Sequence, residues 1–188
     1  MKRLIKFIER NISGKKVLLL FILTNVVYVF MLMVTIPKTM AFSGGMDLLD
    51  MMPFGYDLNY VNTLFNALGD FGRETYMTKQ IPVDMVYPLL FGVTYCLLLG
   101  YFLKKIDRLK TPYSYLCLLP IVAGVFDYLE NFGILVMLND FPDLTVSSVS
   151  LINVFTIIKS ISTSLFFISL LVVLISLLLR YLNKKKIR

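Results

Sequence analysis

The sequence predicts an all-α integral membrane protein, a four-transmembrane-helix bundle with an extra amphipathic helix on the extracytoplasmic side. Three observations carry that expectation. The chain has 188 residues, 57% of them hydrophobic, and a mean hydropathy of +0.76, well beyond a soluble domain. Four apolar stretches, about 17–36, 85–103, 113–138 and 149–182, each approach or exceed the roughly 20 residues a bilayer-crossing helix needs. Cationic residues cluster at alternate ends of these stretches. Six precede the first (Lys2, Arg3, Lys6, Arg10, Lys15, Lys16), four separate the second from the third (Lys104, Lys105, Arg108, Lys110), and five close the fourth (Arg180, Lys184, Lys185, Lys186, Arg188). The other side holds only Lys38, Arg73 and Lys79. This asymmetry places both termini in the cytoplasm, residues 38–84 outside, and the chain in the plasma (inner) membrane as a multi-pass protein. Residues 1–188 form a single membrane domain, with no room for a second.

Several function classes fall away. A net charge of +7 invites a nucleic-acid reading, but the cations sit against the spans, where anionic lipid head groups on the cytoplasmic side are the fitting partners. Histidine is absent, which removes His-ligated haem and the common zinc sites, and leaves no serine or cysteine with a histidine base. Cys96 and Cys117 form no Cys-x-x-Cys pair. Residue counting puts Cys96 at mid-span and Cys117 near the cytoplasmic end, so neither a disulfide nor thiol oxidoreductase chemistry is expected. Nine of the ten methionines lie toward the outer side, without the spacing of a copper site, and suit flexible packing better. No metal and no cofactor is expected.

In chain order, residues 1–16 read either as a cationic interfacial helix or as a charged flank that orients the first span. The first span carries Thr24, Asn25, Tyr28 and Thr35 as a thin polar stripe, and Pro37 marks its outer end. Ser43-Gly44-Gly45, Pro53 and Gly55 make the start of the long connection irregular. Within 58–80, Val61, Leu64, Phe65 and Leu68 recur at helical spacing, which predicts an amphipathic helix over that segment. Gly69 and Gly72 weaken it near Asp70. The second span opens with Asp84 as a first-turn cap and Pro88 as a kink, and carries Tyr87, Phe91, Thr94 and Tyr95. Pro112 sets the entry to the third span, and Pro120 bends it. Residues 139–143 turn the chain, and Ser147 or Ser148 caps the fourth span. That span begins with a stripe of Asn153, Thr156, Lys159, Ser160 and Thr163.

The candidate site lies in the third span. Asp127, Glu130 and Asn131 fall at i, i+3 and i+4, on one face of a helix. Carboxyl groups in such a segment point to a partner, a cavity or a proton path. Glu130 lies eight residues from the outer end, roughly 12 Å at the helical rise, and Lys159 sits about ten residues into the next span, roughly 15 Å. Tyr95, Tyr28 and Asn25 reach a similar level. The expected ligand-binding set is Asp127, Glu130, Asn131, Lys159, Tyr95, Tyr28, Asn25 and Thr156, with Arg73 as a lid from the outer helix. Three functions fit that set. One is binding of a lipid or other amphipathic small molecule. Another is intramembrane acid–base catalysis by Asp127 and Glu130 on a hydrophobic substrate. The third is a non-catalytic assembly or partner subunit whose buried ion pair only orients helices. Assembly with further copies or a partner subunit is compatible with all three.

Overall fold

The computed structural model describes residues 2–110 and 112–186; Arg188, counted among the cations above, lies outside them. The structure is 84% helical, with no strand among the described residues. Helix α1 (Lys2–Asn11) leads into α2 (Gly14–Met40). A connection containing a 3₁₀ turn (Leu49–Met51) precedes α3 (Leu58–Thr75). Helix α4 (Tyr87–Lys105), a 3₁₀ segment (Pro112–Leu118), α5 (Leu119–Asp140) and α6 (Val146–Lys186) follow. Among the described residues, four helical runs are long and apolar enough to cross a membrane: Gly14–Met40, Leu58–Lys105, Pro112–Asp140 and Val146–Asn183. Their outward faces carry large apolar side chains such as Leu19, Val26, Met33, Ile168 and Leu171. Such continuous exposed apolar surface is foreign to a soluble monomer.

The prolines do not break helices where the sequence suggests. Pro37 lies inside α2, because a π turn over Met31–Thr35 precedes it and the Ile36 N–H bonds the Met31 carbonyl five residues back. The extra residue resets the register, so Pro37 meets the next segment in its first turn, where a missing N–H is harmless. The same device recurs at Tyr76–Gln80, ahead of Ile81-Pro82. Pro88 and Pro120 each stand in the first turn of their α-helix, α4 and α5, and so open these helices rather than kinking or bending them. Asp84 does not cap α4; its side chain is buried in the interior. Nor do Ser147 or Ser148 cap α6. Thr145 does, its hydroxyl accepting the Ser148 N–H at 3.2 Å while the Ser148 hydroxyl returns to the Thr145 carbonyl at 2.9 Å.

Helix α3 starts at Asp57, whose carboxylate accepts the Tyr60 N–H at 2.7 Å, and it buries Val61, Leu64, Phe65 and Leu68. Gly69 interrupts it with φ +59°, a left-handed conformation that residues with a Cβ avoid. The connection before α3 is irregular but far from peripheral: Leu48 and Leu49 are fully buried in one core cluster with α3 and the start of α6. A second cluster lies at the other end, where Ile8 of α1 and Ile12 just after it pack among Leu99, Leu103 and Cys117. There the counted separation of the cysteines fails. Cys96 and Cys117, both free and buried, lie in the same cluster with their thiols close enough to interact.

The packing order positions the site. Helix α2 packs on α4, α4 on α5, and α5 on α6, whereas α2 and α6 make no comparable contact. The α4–α5 contact is close enough that a Cβ on Gly124 would lie 2.6 Å from the Pro88 carbonyl oxygen, the small-residue approach typical of membrane helix pairs. The result is an open arc of four helices with a cleft between its two ends.

Candidate functional site

Helical spacing turns Asp127, Glu130 and Asn131 inward together, and all three are buried. Lys159 reaches them from α6, at 3.3 Å from Asp127 Oδ1 and in direct ion pairing with Glu130. Thr156, one turn earlier on α6, donates to Glu130 Oε1 at 2.7 Å. Buried charges persist only when paired and hydrogen-bonded in this way.

The connection before α3 adds a second layer. Its 3₁₀ turn folds into the bundle, so that the Asp50 carbonyl accepts from Lys159 Nζ at 3.4 Å. The Asp50 carboxylate accepts from the Tyr76 hydroxyl at 2.5 Å and from Gln80 Nε2 at 3.0 Å. Gln80 Oε1 in turn accepts from Thr35 at 2.5 Å. The two π turns are therefore hydrogen-bonded to each other. Tyr56 follows, its N–H bound to Asn153 Oδ1 at 2.9 Å and its hydroxyl 3.4 Å from Thr156. Burial pushes this phenol above its ordinary pKa, which keeps it a neutral hydrogen-bonding group. Gly55 gives the loop its closeness to Asn153: with φ +86° and no side chain, it occupies space that any Cβ would contest.

Asp84 completes the cluster, within electrostatic reach of Asp127, Asp50 and Lys159 and beside the Asn131 carboxamide. Asn131 is fully buried, and neither atom of its amide has a well-formed hydrogen bond. Among the described residues, the carboxyl groups of Asp84, Asp127 and Glu130 thus face the Lys159 ammonium, which Asp50 meets through its backbone carbonyl.

In front of this cluster the cleft between α2 and α6 opens as a cavity of about 670 Å³. Asp50, Asp84, Asp127 and Lys159 line its polar end, while Tyr28, Tyr87, Phe91, Tyr95 and Phe167 line its walls. Of the residues singled out from sequence, Asp127, Lys159, Tyr95, Tyr28 and Asn25 are on the cavity wall. Asn25 donates to the Phe21 carbonyl at 2.7 Å and neighbours Tyr95. Glu130, Asn131 and Thr156 are fully or almost fully buried and do not line the cavity. Arg73 is engaged elsewhere: it pairs with Asp70 at 2.5 Å, donates to the Phe65 carbonyl at 2.7 Å, and lies over the Phe141 ring.

Sequence reasoning missed Asp50, Tyr56, Tyr76, Gln80 and Thr35 as neighbours of this site, and gave Asp84 a capping role. One signal was available. Thr35-Ile36-Pro37 and Gln80-Ile81-Pro82 share a polar-Ile-Pro pattern, and the two polar residues are the ones that bond. Comparison with protein-family models, curated proteins and solved structures finds no match to this chain. The geometry therefore carries the functional reading alone.

Proposed function

We propose that this protein is a multi-pass protein of the plasma (inner) membrane that binds a lipid or other amphipathic small molecule in the cleft between α2 and α6. The observation that carries this reading is the cavity itself. It joins a cluster of ionisable side chains to an aromatic wall, and it lies where the helix arc is open at its side. An amphiphile fits such a site with its head at the acids and its chain along the rings. The cationic asymmetry of the sequence orients the acid cluster, with the amphipathic helix α3 above it, toward the extracytoplasmic side. Both termini then face the cytoplasm, where the cations, including Lys105 and Arg180 at a second cavity, meet anionic lipid head groups. The whole chain acts as one membrane domain.

Filling the cleft tests this. Ser160 and Thr163 line the cavity from α6. Ser160→Phe and Thr163→Phe should abolish saturable binding of long-chain amphiphiles to protein in nanodiscs, measured over empty nanodiscs, while leaving thermal unfolding unchanged. Undiminished binding in both variants overturns the proposal.

A structural role fits one member of the cluster better. Glu130, sealed between Lys159 and Thr156 away from the cavity, suits orientation of α5 against α6 more than contact with a ligand or substrate. Replacing Glu130 and Lys159 together by Gln and Met should then preserve folding while leaving Asp84 and Asp127 to serve the cavity.

A further inference from the structure

We infer that the cleft selects an amphipathic cation, an alkyl chain bearing an ammonium head, over neutral or anionic amphiphiles of the same chain length. The inference rests on the amphiphile-binding reading above and names its ligand class.

Charge balance on the cavity wall is the first argument. Asp50, Asp84 and Asp127 line the cavity, and among the described residues Lys159 is the only cation that does. That ammonium is already committed to Asp127, Glu130 and the Asp50 carbonyl. An anionic head would meet carboxyl groups and a lysine with no free valence. An ammonium would meet acids still lacking a counter-ion, in an interior where such attraction is weakly screened. The second argument is Asn131. Its carboxamide is fully buried and turned toward Asp84, so the group that backs Asp84 is a neutral amide and brings no counter-ion to the acid. The third argument is independent of charge count. Tyr28, Tyr87, Phe91 and Tyr95 form a continuous ladder along the cavity, with successive ring centroids 5.4, 5.7 and 4.7 Å apart. Aromatic faces next to carboxylates are the usual surroundings of a bound ammonium. None of the cation–π pairs among the described residues uses these rings.

The test compares dodecylammonium, dodecanol and dodecanoate on the full chain in nanodiscs, with empty nanodiscs as the baseline. Saturable binding should favour dodecylammonium at least tenfold over dodecanol and more over dodecanoate. Asp84 makes no ion pair among the described residues, so Asp84→Asn should stay folded and reduce that preference at least tenfold; Tyr87→Leu, on the ring ladder, should reduce it as well. Equal binding of the three compounds, or a preference for dodecanoate, overturns the inference and leaves amphiphile binding standing. A wild-type preference that survives in both variants also overturns it. Absence of saturable binding by all three overturns this inference and the amphiphile reading together.

Discussion

Lys159 is the residue on which the buried cluster depends. Among the described residues its ammonium is the one cation paired with Asp127, Glu130 and the Asp50 carbonyl. Lys159→Met should destabilise the protein by about 3–5 kcal/mol, the usual result of removing one partner from a buried pair. Denaturant unfolding in dodecylmaltoside measures this, and a change below about 1 kcal/mol would show that water or protons already neutralise the acids. Removing Glu130 at the same time, as Gln, should recover part of the loss, because the stranded carboxylate is then gone. Thr156→Val should cost about 1.5–3 kcal/mol, the range for a hydrogen bond to a charged group. At this scale the sequence is informative about the Glu130–Lys159 contact, since helical spacing and depth counting bring the two together. It is silent about Asp50 and Tyr56, which come from an irregular segment with no period to follow.

The unusual elements are the two π turns, Met31–Thr35 and Tyr76–Gln80. Each ends in a polar residue followed by Ile-Pro, and each lets a proline sit within a continuous helical run. Their polar residues bond across the bundle, Thr35 to Gln80 and Gln80 on to Asp50. The two turns therefore hold the 3₁₀ turn that carries Asp50 against Lys159. A double-mutant cycle of Thr35→Val and Gln80→Leu should show coupling of about 0.5–3 kcal/mol, as for contacting residues in one network. Strict additivity would mean that the two turns act independently. Helix α3 offers a cleaner backbone test. Gly69 has φ +59° with open space around it, so Gly69→Ala should cost about 1–2 kcal/mol from conformation alone. A smaller effect would show that the helix straightens there.

For the whole molecule, the open arc of α2, α4, α5 and α6 has consequences beyond the cluster. A closed bundle would seal the acids; the gap between α2 and α6 leaves them reachable from the side. Topology decides which leaflet would supply the proposed amphiphile. Phe54 is almost fully exposed on the connection before α3, and the Lys110 side chain is exposed at the opposite end. In a background with Cys96 and Cys117 replaced by Ala, Phe54→Cys should react with an impermeant maleimide in intact cells. Lys110→Cys should react only after permeabilisation. The reverse pattern would invert the orientation proposed for the cleft.

What the sequence by itself determined is the helical character and the number of long apolar runs, because span length and apolar composition are local properties that survive any packing. It also placed Asp127, Glu130 and Asn131 on one face, since a helix fixes that relation within four residues. Tertiary structure alone decided that Pro37 does not end its helix and that Asp84 is an interior acid rather than a cap. It also brought Cys96 to Cys117 and folded the turn at Asp50 into the bundle. Each of these depends on contacts between residues tens of positions apart, and on backbone register set by π and 3₁₀ turns. Those turns arise from competition between proline, cross-bundle hydrogen bonds and packing. No window of sequence contains all the competitors.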